Sequence, residues 1–202
     1  MANLSYQCSS CRTVFEFAIR AAYYHVGELP LNGKIKHENL LAIPTRPAWC
    51  KDCDTLAPVE DIASLRDVEH AFGALKIGKP IAYPFNSENL DPADAIMEMK
   101  QYLAWRMQRR HPARVLCCGG MNFQCMDVAQ PLFKHAECDF GVIEPVITHT
   151  GAFSGPGPGV YSVANTAFYD TEGALIGELT SRNDLDRTWE FAARAYPPQC
   201  GE

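Results

Sequence analysis

The chain has 202 residues, of which 47% are hydrophobic and 21% are charged, so it is long enough to bury a core as one domain or two small ones. Its formal net charge of -6 disfavours non-specific binding to nucleic-acid backbones. No window approaches the roughly 20 apolar residues of a membrane span, and the N-terminus lacks a signal-peptide pattern, so we expect a cytoplasmic protein that does not contact a membrane.

The predicted elements fall into three consecutive blocks and indicate the α+β class. Residues 1–60 extend from one Cys-x-x-Cys pair to just beyond a second and are expected to form a zinc ribbon. Residues 61–112 are predicted to be helical. Residues 113–202 are predicted to be rich in β-strands, with a second, degenerate ribbon-like cluster and a short helix near the C-terminus.

Two helices are predicted in the central block. Asp91-Pro92-Ala93-Asp94 supplies an N-cap oxygen, a proline in the first turn and an early acid, a combination typical of a helix start. The apolar positions that recur on one face of this helix are Ile96, Met99, Leu103 and Met107. An earlier helix is predicted to begin near Asp61 and to end at Gly73.

Strands are predicted in the last block because β-branched residues are frequent over 142–149 and 160–169. The sequence Asp170-Thr171-Glu172-Gly173 predicts a turn into a further strand. The final helix is predicted over about 184–195, with Trp189 among its buried residues.

The strongest motif in the chain is a pair of Cys-x-x-Cys sequences separated by 38 residues, Cys8/Cys11 and Cys50/Cys53. In a reducing compartment, cysteines of this kind are more often metal ligands than disulfide partners. Four thiolates brought together by two such turns suit a tetrahedral zinc ion, whose binding contributes on the order of 10 kcal/mol to folding. The spacing therefore predicts one structural zinc site built from these four cysteines.

An alternative interpretation of the second pair is a redox site. Trp49-Cys50-Lys51-Asp52-Cys53 resembles the active-site turn of thioredoxins, in which a helix N-terminus lowers the pKa of the first thiol. The resemblance implies a thiol-disulfide oxidoreductase that uses Cys50 and Cys53. The preceding segment contains Pro44 and Pro47, where that family needs a buried central strand.

A second cluster of metal-ligating residues occurs in the last block. Cys117-Cys118-Gly119-Gly120 and Phe133-Lys134-His135-Ala136-Glu137-Cys138 resemble a pattern of small bacterial zinc-ribbon proteins, Cys-x-x-Cys-Gly followed by Phe-x-His-x-x-Cys. Cys118, His135 and Cys138 match that pattern, whereas its first cysteine would fall on Val115. Either Cys117 or Cys125 is left to supply a fourth ligand, or the cluster has lost its metal.

Catalysis at this second cluster is a further alternative. A catalytic zinc keeps one position for water and places a general base beside it. Cys118, His135 and Cys138 with Glu137 or Glu144 nearby would satisfy that arrangement in outline. The expected character of the protein is nevertheless non-enzymatic, because the signatures of the zinc deaminases are absent.

The segment from Arg106 to Arg114 carries four arginines at the end of the strongest predicted helix. Positive charge there complements the carbonyl end of the helix dipole, and a phosphate-binding patch is the alternative.

Zinc ribbons mostly act as rigid scaffolds, so the resemblance implies a zinc-binding protein that presents a surface to a protein partner. By analogy, that partner is a bacterial toxin and the chain an immunity- or inhibitor-type protein. A nucleic-acid-associated ribbon that uses the patch Arg106, Arg109, Arg110 and Arg114 is the second hypothesis, and the thiol oxidoreductase is the third.

Overall fold

A computed structural model describes most of the chain and shows a mixed α+β fold with three β-sheets and two helices. The described residues are 3–18, 22–27, 33–79, 81, 91–126, 133–135, 137–138, 140–146, 166–183 and 185–194. The expected α+β class is confirmed at this level. Neither helix in these ranges is long and apolar enough to cross a membrane.

A four-stranded antiparallel sheet joins the N-terminal hairpin to a hairpin from residues 133–145. Its strands, in spatial order, are β2 (Val14–Ala18), β1 (Asn3–Cys8), β10 (Val142–Pro145) and β9 (Phe133–Lys134). The central pairing places Cys8 opposite Ile143, so two hairpins distant in sequence lie side by side.

A three-stranded sheet is built around the second Cys-x-x-Cys pair. Its strands, in spatial order, are β7 (Thr55–Glu60), β6 (Thr45–Cys50) and β8 (Phe123–Cys125). Pro47 and Pro58 lie directly opposite each other in the β6–β7 hairpin. Trp49 and Cys50 at the end of β6 pair with Gln124 and Phe123 of β8.

The largest sheet has six strands and carries half of the buried aromatic residues among the described positions. In spatial order they are β4 (Lys34–Lys36), β13 (Thr188–Ala193), β12 (Leu175–Asn183), β11 (Ala167–Tyr169), β3 (Ala22–His25) and β5 (Leu40–Ile43). Only the β11–β3 pair among these is parallel.

The two helices begin at capped positions. Helix α1 (Leu65–Lys76) follows Ser64, whose hydroxyl accepts the Asp67 N–H, and helix α2 (Pro92–Gln108) follows Asp91, whose carboxylate accepts the Ala93 N–H. The predicted start of α2 is confirmed.

The predicted bounds of α1 were wrong at both ends. The helix starts after Ser64 instead of near Asp61, because Ser64 supplies the capping oxygen. Gly73 lies inside it, and the chain leaves the helix at Ile77 and Gly78, where Gly78 adopts a φ of +70°.

The buried face of α2 is offset from the predicted one. Met99 is buried as expected, but Met107 is 70% exposed. The fully or nearly buried residues of this helix are Ala95, Met99, Tyr102 and Trp105. The helix turns its aromatic side chains inward because Trp105 packs against Tyr24 of the six-stranded sheet, with ring centres 5.2 Å apart.

The predicted C-terminal helix is wrong, since residues 188–193 form strand β13. This strand pairs with β12 on one side and β4 on the other, and Trp189 is buried at its centre. Pairing on both edges outweighs the local helical pattern.

Each of the three sheets combines strands from residues 1–60 with strands from residues 113–202. The boundaries of the three predicted blocks stay a prediction, but the first and last blocks are interleaved in space.

Candidate metal centres

The structure gathers eight of the predicted ligands into two groups, each with four ligand atoms within 4.8 Å of one another. We call Cys8, Cys11, His135 and Cys138 the mixed cluster, and Cys50, Cys53, Cys117 and Cys118 the all-cysteine cluster. The predicted grouping was therefore wrong: the two Cys-x-x-Cys pairs do not share one site. Cys8 and Cys11 lie with His135 and Cys138, whereas Cys50 and Cys53 lie with the adjacent Cys117 and Cys118.

The all-cysteine cluster has the dimensions of a tetrahedral zinc site. A zinc ion with Zn–S bonds of about 2.3 Å places its sulfur ligands about 3.8 Å apart. The Sγ atoms of Cys50 and Cys118 lie 3.7 Å apart, as do those of Cys53 and Cys117. The Sγ atoms of Cys117 and Cys118 lie 3.9 Å apart. The adjacent cysteines therefore both reach the cluster.

Two turns hold these four thiols. Cys50 ends strand β6 and Cys53 lies in the turn to β7, where Asp54 adopts a positive φ of 46°. The second turn contains Cys117 and Cys118. Its Gly119 N–H donates to the Val115 carbonyl at 2.9 Å, and Gly119 has a φ of +72°.

A side chain at position 120 would crowd this cluster. A Cβ there would lie 3.3 Å from the Cys118 sulfur and 2.7 Å from a carboxylate oxygen of Asp52. The backbone can approach the sulfur this closely only without a side chain.

A buried ion pair supports the second turn from behind. Glu60 and Arg109 have side chains with 0% exposure, and the Arg109 Nη2 donates to Glu60 Oε2 at 2.5 Å. The Arg114 N–H donates to the same oxygen at 2.7 Å, and the Tyr24 hydroxyl donates to Glu60 Oε1. Burial raises the pKa of Glu60, and the Arg109 charge and these donors oppose the rise.

The ion pair matters to the cluster because it fixes the chain just before the adjacent cysteines. The Glu60 N–H donates to the Arg114 carbonyl at 3.1 Å, and the Leu116 N–H donates to the Pro58 carbonyl at 2.8 Å. Strand β7 thus holds the start of the turn that carries Cys117.

The mixed cluster also fits a tetrahedral ion. Zinc bound to sulfur at about 2.3 Å and to nitrogen at about 2.0–2.1 Å places those two atoms about 3.6 Å apart. The Cys11 Sγ and His135 Nδ1 atoms lie 3.4 Å apart. This geometry assigns Nδ1 of His135 as the ligand atom.

Two hairpin turns that are distant in sequence form the mixed cluster. Cys8 ends strand β1 and Cys11 lies in the turn to β2, where Arg12 has a positive φ of 65°. His135 follows strand β9 and Cys138 lies in the turn to β10. The pairing of β1 with β10 brings the two turns together.

Gly141 has the same role here that Gly120 has at the other cluster. A Cβ on Gly141 would collide with the Cys8 sulfur and lie 2.9 Å from the Cys138 Cβ. The sequence contains both glycines, but nothing in their spacing distinguishes them from ordinary turn glycines.

Aromatic side chains orient His135. Its ring packs edge-on against Phe15, with ring centres 5.4 Å apart, and against Trp49, at 6.2 Å. The opposite ring nitrogen, Nε2, lies 4.0 Å from a carboxylate oxygen of Glu137.

Trp49 lies between the clusters. It precedes Cys50 of the all-cysteine cluster in β6, while its ring contacts His135 of the mixed cluster. Its Nε1–H donates to Asp54 at 3.1 Å. The sequence places this tryptophan next to Cys50 but gives no signal for its contact with His135, which comes from the sheet pairing.

Two ligand thiols, Cys11 of the mixed cluster and Cys117 of the all-cysteine cluster, have pKa values shifted in opposite directions. Hydrogen bonds from Thr13 lower the pKa of the exposed Cys11 thiol to about 6. Burial raises the pKa of Cys117, and the neighbouring Cys50 raises it further. Without metal, Cys11 is thus a thiolate at neutral pH, whereas Cys117 is a protonated thiol.

Cys125 lies in neither cluster among the described residues. It is half-buried in β8, where it pairs with Ala48. The prediction that Cys118, His135 and Cys138 share one site was also wrong, because Cys118 lies in the all-cysteine cluster. The alternative of a catalytic zinc held by these three ligands therefore does not form.

The redox interpretation required a helix after Cys50. The structure instead has a turn over 51–54 and strand β7, and Cys50 is fully buried. The helix dipole that would activate the first thiol is absent from this described segment.

The predicted arginine patch is mostly not available to phosphate groups. Arg109 is buried in its ion pair with Glu60. Arg106 Nε donates to the Ala63 carbonyl at 3.1 Å, and Arg114 Nη1 donates to the Gly119 carbonyl at 3.3 Å. Among the described contacts of this group, only Arg110 is exposed and makes no side-chain hydrogen bond or ion pair of this kind.

The chain matches no protein-family model, no curated protein and no solved structure. Its functional interpretation therefore depends on the geometry of the two clusters.

Proposed function

We propose that this chain is a non-enzymatic zinc-binding protein with two structural metal sites and a surface that binds a protein partner. The observation that carries this proposal is that protein side chains supply four ligand atoms at each cluster. A structural zinc site is closed in this way, whereas a catalytic zinc keeps a position for water.

Zinc is favoured by the chemistry of the donors. The two clusters contain seven cysteines and one histidine, and no carboxylate belongs to either. Thiolate and imidazole ligands in tetrahedral arrangement suit zinc, while calcium and magnesium require oxygen ligands.

The metals would stabilise the small sheets that carry them. Strands β8 and β9 contain three and two residues, which is too short for stable pairing without further support. Zinc binding on the order of 10 kcal/mol is sufficient to hold such hairpins in place.

The proposed partner surface includes the exposed apolar residues next to the mixed cluster. Phe140 is 90% exposed in the turn that also carries Cys138, and Val14 is 53% exposed at the start of β2. An aromatic side chain on a metal-fixed turn resembles the anchors that dominate protein interfaces. The net charge of -6 favours a basic partner, and an immunity- or inhibitor-type role against a basic toxin is the specific form of this proposal.

Zinc removal tests the structural role. Treatment of the full chain with a chelator should lower its midpoint of thermal unfolding, followed by circular dichroism, and stoichiometric zinc should restore it. An unchanged unfolding curve after complete metal removal would contradict the proposal.

Affinity capture from the source cells tests the partner surface. Zinc-loaded wild-type protein and the Leu185→Ser variant, which changes a residue that is 95% exposed outside this surface, should retain the same protein. Phe140→Ser should lose that protein while keeping its zinc. Equal retention by both variants would exclude this surface, and identification of the retained protein decides whether it is a toxin.

A further inference from the structure

Cys11 is the one exposed ligand among the eight that form the two clusters. It lies in the turn between β1 and β2, where residues 9–14 are all exposed. The all-cysteine cluster has two buried and two half-buried ligands instead. A small reagent in solution therefore reaches the sulfur of Cys11 directly.

The sulfur of Cys11 is also in the reactive form when the cluster holds zinc. A cysteine that binds zinc is a thiolate, and the thiolate is the form of cysteine that attacks electrophiles. The Cys11 Sγ atom lies 3.2 Å from Thr13 Oγ1, so the hydroxyl donates to the thiolate and holds it at the turn. Cys11 is thus an accessible, positioned nucleophile.

A second thiol of the mixed cluster is placed to react with an oxidised Cys11. The ligand atoms of Cys11 and Cys138 lie within 4.8 Å of each other, and a disulfide bond is about 2 Å long, so closure needs a movement of at most about 3 Å. Cys138 is half-buried in a turn, whereas Cys8 is fully buried at the end of β1. Cys138 is therefore the thiol that can move toward Cys11.

We propose that Cys11 is an oxidation site for hydroperoxides and that its oxidation releases the zinc ion of the mixed cluster. This inference rests on the structural zinc proposed above for that cluster. It adds a chemical signal, a hydroperoxide, to which the metal site responds.

The reaction has two steps. The Cys11 thiolate attacks one oxygen of the hydroperoxide: an S–O bond forms, the O–O bond breaks, and the departing alkoxide or hydroxide takes a proton from water. The Cys138 thiolate then attacks the oxidised sulfur: the S–S bond forms, the S–O bond breaks, and the hydroxide that leaves is protonated to water. The two cysteines lose two electrons, and the hydroperoxide gains them.

The disulfide removes two of the four ligands of the mixed cluster. Cys8 and His135 alone are too few for a closed tetrahedral site, so the ion leaves. The turn that carries Cys138 also carries Phe140, which is 90% exposed. Oxidation therefore removes the metal that fixes the proposed partner surface.

The all-cysteine cluster should resist the same reagent. Its four thiolates carry more negative charge, which favours attack on a hydroperoxide, but the sulfur must also be reached. Cys50 is 0% exposed and Cys118 is 7% exposed. Access decides the order because the reaction needs direct contact between sulfur and oxygen.

Zinc release from the wild-type full chain tests the proposal. Protein loaded with two zinc ions is treated with hydrogen peroxide or with cumene hydroperoxide, and released zinc is followed with a coloured chelator. One ion should leave at least roughly tenfold faster than the other, because only one cluster exposes a thiolate. Faster release by cumene hydroperoxide would identify organic hydroperoxides as the preferred source, and the reverse would identify hydrogen peroxide.

The metal content before treatment separates this proposal from the one on which it rests. A single zinc ion at the start would contradict the mixed cluster as a metal site. Two ions that stay bound, or that leave at equal rates, would overturn the oxidation site alone.

Peptide mass spectrometry locates the disulfide. Trypsin cleaves after Arg12 and Lys134, so a bond from Cys11 to Cys138 joins two separate peptides. A bond from Cys11 to Cys8 would stay within residues 1–12 and would overturn the choice of Cys138.

Cys11→His removes the reactive thiolate while keeping four ligands, since two cysteines and two histidines form a common zinc site. This variant should hold two zinc ions and lose the fast phase of release. Cys53→His, the same change at a half-buried ligand of the other cluster, is the matched control and should keep the fast phase. Fast release from Cys11→His would overturn the proposal. If that variant binds only one ion, the peptide map of the wild-type protein decides.

Discussion

The mixed cluster and the all-cysteine cluster are built from the same parts but differ in exposure and in charge. Each combines a Cys-x-x-Cys hairpin turn, a second short turn and a glycine against a ligand sulfur. The mixed cluster has one exposed ligand, Cys11, whereas every ligand of the all-cysteine cluster is buried or half-buried. A divalent ion with three thiolates and a neutral imidazole carries one net negative charge, and with four thiolates it carries two.

The protein around each cluster reflects this difference. The all-cysteine cluster has Arg114 beside it, bound to the Gly119 carbonyl, and the buried pair of Glu60 and Arg109 behind it. The mixed cluster has aromatic rings and the exposed carboxylate of Glu137. We infer that the all-cysteine cluster is the more permanent part of the fold. The mixed cluster is closer to a replaceable surface element.

The largest expected difference is in the loss of a single ligand. Cys118→Ala should lower the midpoint of thermal unfolding far more than Cys11→Ala, because Cys118 packs in a buried cluster with Cys50, Ala57 and Val115. Cys11→Ala should leave a folded protein with one zinc ion and a smaller loss of stability, since Cys11 is exposed. Thermal unfolding with metal analysis checks both, and equal behaviour of the two variants would remove the distinction.

Arg109→Ala should destabilise the protein by about 3–5 kcal/mol, because it leaves the Glu60 carboxylate buried without its partner. Urea unfolding measures this change. The variant should also lose zinc from the all-cysteine cluster more readily than from the mixed cluster. Arg110→Ala, at an exposed neighbouring position, should stay within about 0.5 kcal/mol of wild type. Equal zinc loss from both clusters would show that the ion pair supports the whole fold evenly.

Trp49→Ala should lower the free energy of unfolding by about 3–5 kcal/mol, as expected for a buried tryptophan. It should also weaken zinc binding at both clusters, because the ring contacts His135 and the backbone continues into Cys50. Trp189→Ala removes the same side chain from a separate part of the core. It should destabilise the protein similarly but leave both zinc affinities unchanged in competition with a chelator. If both variants weakened zinc binding equally, the contacts of Trp49 with the two clusters would have no specific effect on metal affinity.

The smallest effect concerns thiol reactivity in metal-free protein. The pKa of Cys11 is lowered to about 6, so its thiolate predominates above that pH and is lost as the pH falls through it. The pKa of Cys117 is raised, so this thiol stays protonated at pH 7. Alkylation with iodoacetamide, located by peptide mass spectrometry, should therefore modify Cys11 first at pH 7 and more slowly at pH 5. Faster modification of Cys117 than of Cys11 would contradict this order of thiol reactivity.

The sequence was sufficient for the types of ligand but not for their grouping. The Cys-x-x-Cys spacing and the resemblance to small zinc-ribbon proteins together named all eight ligands of the two clusters, along with Cys125, which belongs to neither. Thiolates are chemically alike, however, and the choice of partners was made by the pairing of β1 with β10, where Cys8 lies opposite Ile143. Such a long-range register leaves no local pattern in either segment.

The same limit applies to the secondary structure. The start of α2 was predictable because Asp91 and the following proline act within one turn. Strand β13 was not, because its conformation depends on pairing with β4 and β12, which local periodicity does not report.

Native mass spectrometry of four proteins tests the two separate ligand sets most directly: wild type, Cys11→Ala, Cys53→Ala and the double variant. With the mixed and all-cysteine clusters as described, these should hold two, one, one and no zinc ions, since Cys11 and Cys53 belong to different sites. If Cys11 and Cys53 instead shared a site, the double variant would hold as much zinc as either single variant. That result would contradict the interleaved arrangement.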